Sequence, residues 1–74
     1  MGGTLPVLKN REVVKRLVRL GFVLARQSGS HQQFRHPDGR ATTVPRHNRD
    51  IAPPLSRQIC KDIEISVTDF LKVK

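Results

Sequence analysis

His31 follows the turn-forming run Ser28-Gly29-Ser30 and opens a strand-like stretch that ends near His36. An imidazole, with an unperturbed pKa of about 6.5, takes and gives protons near neutrality. Gln33 and Arg35 follow it at two-residue spacing, and Arg46 and His47 come shortly after. Alternate residues of a strand share a face, so His31, Gln33 and Arg35 fall together. An imidazole flanked by an amide and guanidinium groups fits acid–base work on a nucleic-acid phosphate, with the cations offsetting charge that develops as a bond breaks. His36, beside the next turn, reads as structural. Cys60 is the single cysteine, which excludes an intrachain disulfide, and it falls on the apolar arc of an expected helix, where a thiol behaves as a small hydrophobe. One such cysteine and three dispersed histidines do not form a zinc ligand set, so no metal and no cofactor is expected.

The charge supports the same chemistry. Fourteen Lys and Arg against six Asp and Glu leave a formal charge of +8. Residues 1–49 carry that whole excess, because residues 50–74 hold four bases and four acids. An excess confined to one part of a chain is an electrostatic footprint for a polyanion, and nucleic acid is the leading candidate. No apolar run approaches the ~20 residues of a membrane span, and no charged-then-apolar leader opens the chain. A cytoplasmic protein that meets no membrane is the expectation.

Seventy-four residues are expected to make one small domain over 10–74, behind a loose tail at 1–9. Asn10 is placed to cap a helix running to about Leu20, with Gly21 as its stop. Val13, Val14, Leu17, Val18 and Leu20 share one side of that helix, and Arg11, Lys15, Arg16 and Arg19 the other. Phe22–Gln27 reads as a strand with Phe22 and Leu24 on the same side. His31–His36 and Arg40–Pro45 are then joined by Pro37-Asp38-Gly39, a three-residue hairpin loop with glycine in the left-handed position. That loop sets Phe34 opposite Thr42 and Gln32 opposite Val44, so Phe34, Thr42 and Val44 face the core. A basic loop, Arg46–Pro53, leads into a helix from Pro54 to about Ile63 that buries Leu55, Ile59, Cys60 and Ile63. Ser66-Val67-Thr68-Asp69 resembles a capping box, with Ile65 and Phe70 as its hydrophobic staple, and predicts a last short helical turn.

Helix, three antiparallel strands, helix: this α+β order, a three-stranded antiparallel sheet covered by two helices in a small basic domain, resembles the double-stranded-RNA-binding fold. The residues sharpen the likeness. Leu20-Gly21-Phe22, Gly29-Ser30-His31-Gln32-Gln33-Phe34, His36-Pro37-Asp38-Gly39-Arg40 and Thr43-Val44-Pro45-Arg46-His47 together resemble the HicA, or YcfA-like, family, the mRNA interferase toxins of prokaryotic toxin–antitoxin pairs. The resemblance runs from about Asn10 to Phe70. It departs from the family pattern at Pro53-Pro54, where members usually carry a glycine.

What the resemblance implies is a type II toxin, a metal-independent endoribonuclease that cleaves mRNA and is held inactive by a HicB-type antitoxin. The family's strand histidine maps onto His31, the expected general acid or base, and its Val-Pro-x-His segment maps onto Val44-Pro45-Arg46-His47. Beside His31, Arg35 and Arg46 are candidates to steady transition-state charge, Gln33 to orient the phosphate, and His47 for a second proton transfer or an RNA contact. Lys15, Arg16 and Arg19 on the first helix, with Arg49 in the basic loop, are candidate RNA-backbone contacts. Two other classes share these features: an RNA-binding module of the same fold without catalysis, and a basic subunit whose charge meets an acidic protein.

Overall fold

Val13 and Leu17, one helical turn apart, are both fully buried, and they anchor the helix Asn10–Arg19 to the rest of the chain. The computed structural model describes residues 6–46 and 49–74. In chain order the elements are β1 (Leu8–Lys9), α1 (Asn10–Arg19), β2 (Val23–Ser28), β3 (His31–Arg35), β4 (Ala41–Pro45), β5 (Asp50–Ile51), α2 (Pro53–Asp62) and α3 (Val67–Lys72). The fold is α+β. Strands β2, β3 and β4 form an antiparallel sheet in that order, and α1 and α2 pack on it chiefly through β4.

The hairpin register follows from its loop. The His36 N–H donates to Arg40 O at 2.8 Å, the Gly39 N–H donates to His36 O at 2.9 Å, and Gly39 takes the positive φ of 101° that this loop needs. Phe34 then sits opposite Thr42 and Gln32 opposite Val44, as the turn chemistry predicts. Phe34, Thr42 and Val44 are buried with Phe22, Leu8, Ile51, Ile59, Cys60, Ile63 and Phe70. Each large apolar side chain buried there stabilises the fold by about 1.5–3 kcal/mol relative to exposure. Burial also pushes the Cys60 thiol upward, consistent with a packing role.

Both longer helices end in the same way. After α1, the Phe22 N–H reaches Leu17 O at 2.9 Å and the Gly21 N–H reaches Val18 O at 3.0 Å. After α2, the Ile65 N–H reaches Cys60 O and the Glu64 N–H reaches Lys61 O. This is the Schellman pattern, whose turning residue must be left-handed. Gly21 fills that place at φ 97°, whereas α2 uses Glu64 at φ 59°. Downstream, Ser66 Oγ accepts from the Asp69 N–H at 3.1 Å, and Phe70 is buried beyond it. The expected cap and short helix are there.

Several expectations give way. Leu8 and Lys9 are not tail but a short strand paired with Asp50–Ile51, because Leu8 and Ile51 bury together and Lys9 Nζ meets Asp50 Oδ1 at 3.1 Å. Asn10 is the first helical residue rather than the cap, which is Lys9. Its amide instead donates to Pro45 O, while its backbone N–H donates to Arg49 O. Helix α2 starts at Pro53, one residue early, with both prolines in the first turn, where a missing N–H costs nothing. Ser56 lies buried on its inner face. Phe22 belongs to the helix cap and not to a strand, and Leu24 stays half-exposed because β2 is an edge strand outside the cover of the helices.

Candidate functional site

Two adjacent rows cross the sheet on the face turned away from Phe34 and Val44. In one, Ser28, His31 and Pro45 stand opposite each other, and in the next stand Arg26, Gln33 and Thr43. Directly opposed residues of neighbouring strands share a face. Arg26, Ser28, His31, Gln33 and Thr43 accordingly line one open cleft, and every one of them is exposed. His31 owes its place to the tight turn at Gly29-Ser30, which sets Ser28 directly against it.

Of the residues singled out in the sequence, His31 and Gln33 meet in this cleft. Arg35 shares their face but stands in a further row with Val23 and Ala41, about 13 Å along the strand from His31 at 3.3–3.4 Å per residue. Arg46 follows β4, exposed, and its N–H bonds to Ser30 O across the mouth of the β2–β3 turn. Arg49 is exposed beside the start of α1. His47 lies outside the described residues.

The helix cations sit elsewhere. Lys15 and Arg19 are exposed on the side of α1 away from Val13 and Leu17, so the fold does not bring them to His31. Arg16 departs from the expectation of an exposed RNA contact. Its guanidinium pairs with Glu12 at 3.2 Å, stacks over the Phe70 ring at 5.9 Å, and keeps a buried Nε. Those contacts hold α3 against α1.

His36 has the structural place expected of it. Its ring meets Phe22 edge-on at 5.1 Å, and its Nδ1 accepts from the Asp38 N–H at 3.1 Å. Arg40 stacks over the Phe22 ring, 5.2 Å from its centroid, while its Nε binds Asp38 at 2.8 Å and its Nη1 bonds to Ile63 O. The Arg40 backbone N–H, its guanidinium and His36 together hold the Asp38 carboxyl below the usual carboxylate range, against an opposing desolvation effect. The β3–β4 loop is thereby pinned to the end of α2.

Sequence reasoning missed Arg26, Ser28 and Thr43. Thr43 follows from the hairpin register, and Ser28 from the tightness of the turn. Arg26 was hidden, because an unbroken strand puts Leu24, Arg26 and Ser28 on one side. An irregularity at Ala25 separates them: Leu24 pairs with Phe34 on the helix side, and Arg26 pairs with Gln33 on the open side.

A family model described as the HicA toxin of bacterial toxin–antitoxin systems matches residues 11–65, most of the chain. The chain belongs to the HicA toxin family. It is therefore a toxin of a toxin–antitoxin system, and an antitoxin is its implied partner. No curated protein matches the chain. The HicA match runs from the first turn of α1 past the end of α2 and includes the whole cleft around His31. Among the described residues, no three His, Cys, Asp or Glu side chains are grouped to hold a metal ion, and no helix is long and apolar enough to cross a membrane.

Proposed function

We propose that this HicA toxin is an endoribonuclease that cleaves mRNA through His31 and is neutralised by a HicB-type antitoxin. The observation that carries the reading is the exposed imidazole of His31 beside Gln33 on an uncovered sheet face within the matched region. RNA carries its own nucleophile. His31 takes the proton of the 2′-OH, the 2′ oxygen bonds to the adjacent phosphorus, and the bond from phosphorus to the 5′ oxygen breaks. The products are a 2′,3′-cyclic phosphate and a 5′-hydroxyl, the latter receiving its proton from His47 or water. Gln33 orients the phosphate, and Arg35 and Arg46 hold the neighbouring backbone. No step requires a metal.

The basic surface attracts an acidic antitoxin, which silences it most directly by lying across the open face over His31. Cytoplasmic action on mRNA follows from the same reading. The test is cleavage of a long in vitro transcript in EDTA by the wild-type protein and by His31→Ala. Cleavage by the wild type alone, with both proteins folded, is the expected result. A folded His31→Ala that still cuts overturns the role of His31. RNA bound but uncut by the wild type favours the non-catalytic binding module.

A further inference from the structure

We infer that Arg26 is the residue that binds the scissile phosphate beside His31. The inference rests on the reading of His31 as the proton-transfer group. Arg26 is directly opposite Gln33, and Gln33 is two residues from His31 on the same strand face. Arg26 and His31 are thus diagonal neighbours, about 7–8 Å apart at the backbone. An oxygen of the phosphate adjacent to the 2′-OH that meets His31 falls within the span of a guanidinium reaching from Arg26. Arg35, about 13 Å from His31, serves the next phosphate along.

Three features separate Arg26 from the other cations. It lines the same cleft as His31, whereas Arg35 and Arg46 do not. Among the described residues no carboxylate pairs with it, unlike Lys9, Arg16 and Arg40. Its orientation also depends on a departure from regular strand structure, the bulge at Ala25, without which Leu24 and Arg26 would share a side. Pairing with Phe34 asks only that Leu24 take the helix side of the sheet. The same irregularity sends the guanidinium to the open face, where its planar fork of donors matches a phosphate's two non-bridging oxygens. Ser28, two residues along β2, and Thr43, on the far side of Gln33, add hydroxyls to the same cleft.

The test uses the full chain and a long in vitro transcript under single-turnover conditions, with Arg26→Ala, Arg26→Lys and His31→Ala each checked for folding by circular dichroism. Arg26→Ala should lower the cleavage rate at saturating RNA by about 10²–10³, the cost of removing one donor from developing charge. Arg26→Lys, which keeps the charge without the fork, should recover part of that loss. In the His31→Ala background, Arg26→Ala should reduce the salt dependence of RNA binding by about 0.7 in log–log slope. If His31→Ala is silent while Arg26→Ala cuts at the wild-type rate, this inference fails and the reading of His31 stands. Loss of binding with an unchanged saturated rate also overturns it, making Arg26 a general backbone contact. Wild-type cleavage by His31→Ala would show instead that the underlying reading is wrong.

Discussion

Replacing Glu64 by glycine should stabilise this protein, and replacing Gly21 by alanine should do the reverse. Both residues turn the chain out of a helix in the same hydrogen-bonded motif, at φ 59° and 97°. A side chain in the left-handed region costs roughly 1–2 kcal/mol, because Cβ crowds the following carbonyl oxygen. Glycine removes that cost but gives back about 0.4–1 kcal/mol through its greater freedom in the unfolded chain. Glu64 is exposed and joins no ion pair among the described residues, so little else is lost on removing its side chain. Mid-range values, about 1.5 less about 0.7, leave a net gain for Glu64→Gly of about 0.5–1 kcal/mol. At Gly21 the same backbone cost runs the other way, and a Cβ there would lie 2.9 Å from His36 Nε2. His36 is held by Phe22 and the Asp38 N–H, so it cannot withdraw without loosening the hairpin corner. Gly21→Ala should therefore cost at least about 1 kcal/mol. Urea unfolding with a common m-value of about 1 kcal/mol/M would move the midpoint up by roughly 0.5–1 M for Glu64→Gly and down by at least about 1 M for Gly21→Ala. An unchanged or lowered midpoint for Glu64→Gly would refute the argument that strain is stored at this helix end.

Phe34 is 2% exposed at the centre of the sheet, so Phe34→Ala should lose about 3–5 kcal/mol of stability in the same assay; a loss under 1 kcal/mol would show that the core closes over the gap. The depressed Asp38 carboxyl favours the folded state fully above its ordinary value of 3.8 and progressively less as pH falls through its lower folded value. Acid unfolding followed below about pH 4 should accordingly be less steep for Asp38→Asn than for the wild type, and superimposable curves would remove the carboxylate from the hairpin's stability. Replacing Lys15 and Arg19 together, with Arg16 left to hold α3, should lower the log–log salt slope of RNA binding by up to about 1.4 if both meet phosphates. Unchanged affinity and slope would mean that this helix face is only solvated.

Features governed by neighbours in the chain were legible in the sequence. Pro37-Asp38-Gly39 dictates a loop length, loop length dictates register, and register puts Phe34 with Val44 and His31 with Gln33 on opposite faces. The apolar spacing of α1, the stop at Gly21 and the Ser66 cap are likewise short-range matters of periodicity and backbone hydrogen bonding. Tertiary structure decided what depends on distant partners. Leu8 is a strand residue only because Ile51, far along the chain, offers it an edge and a buried surface. Arg16 turns from the solvent because Glu12 and the Phe70 ring receive its guanidinium, a contact that exists only once α3 has docked. Arg26 reaches His31's cleft because two demands on β2 conflict. Leu24 pairs with Phe34 on the helix side while the tight turn at Gly29-Ser30 fixes Arg26 and Ser28 on the other, and the extra residue Ala25 absorbs the difference. Strict alternation contains no signal for that slip, since a bulge forms where two separately determined registers meet.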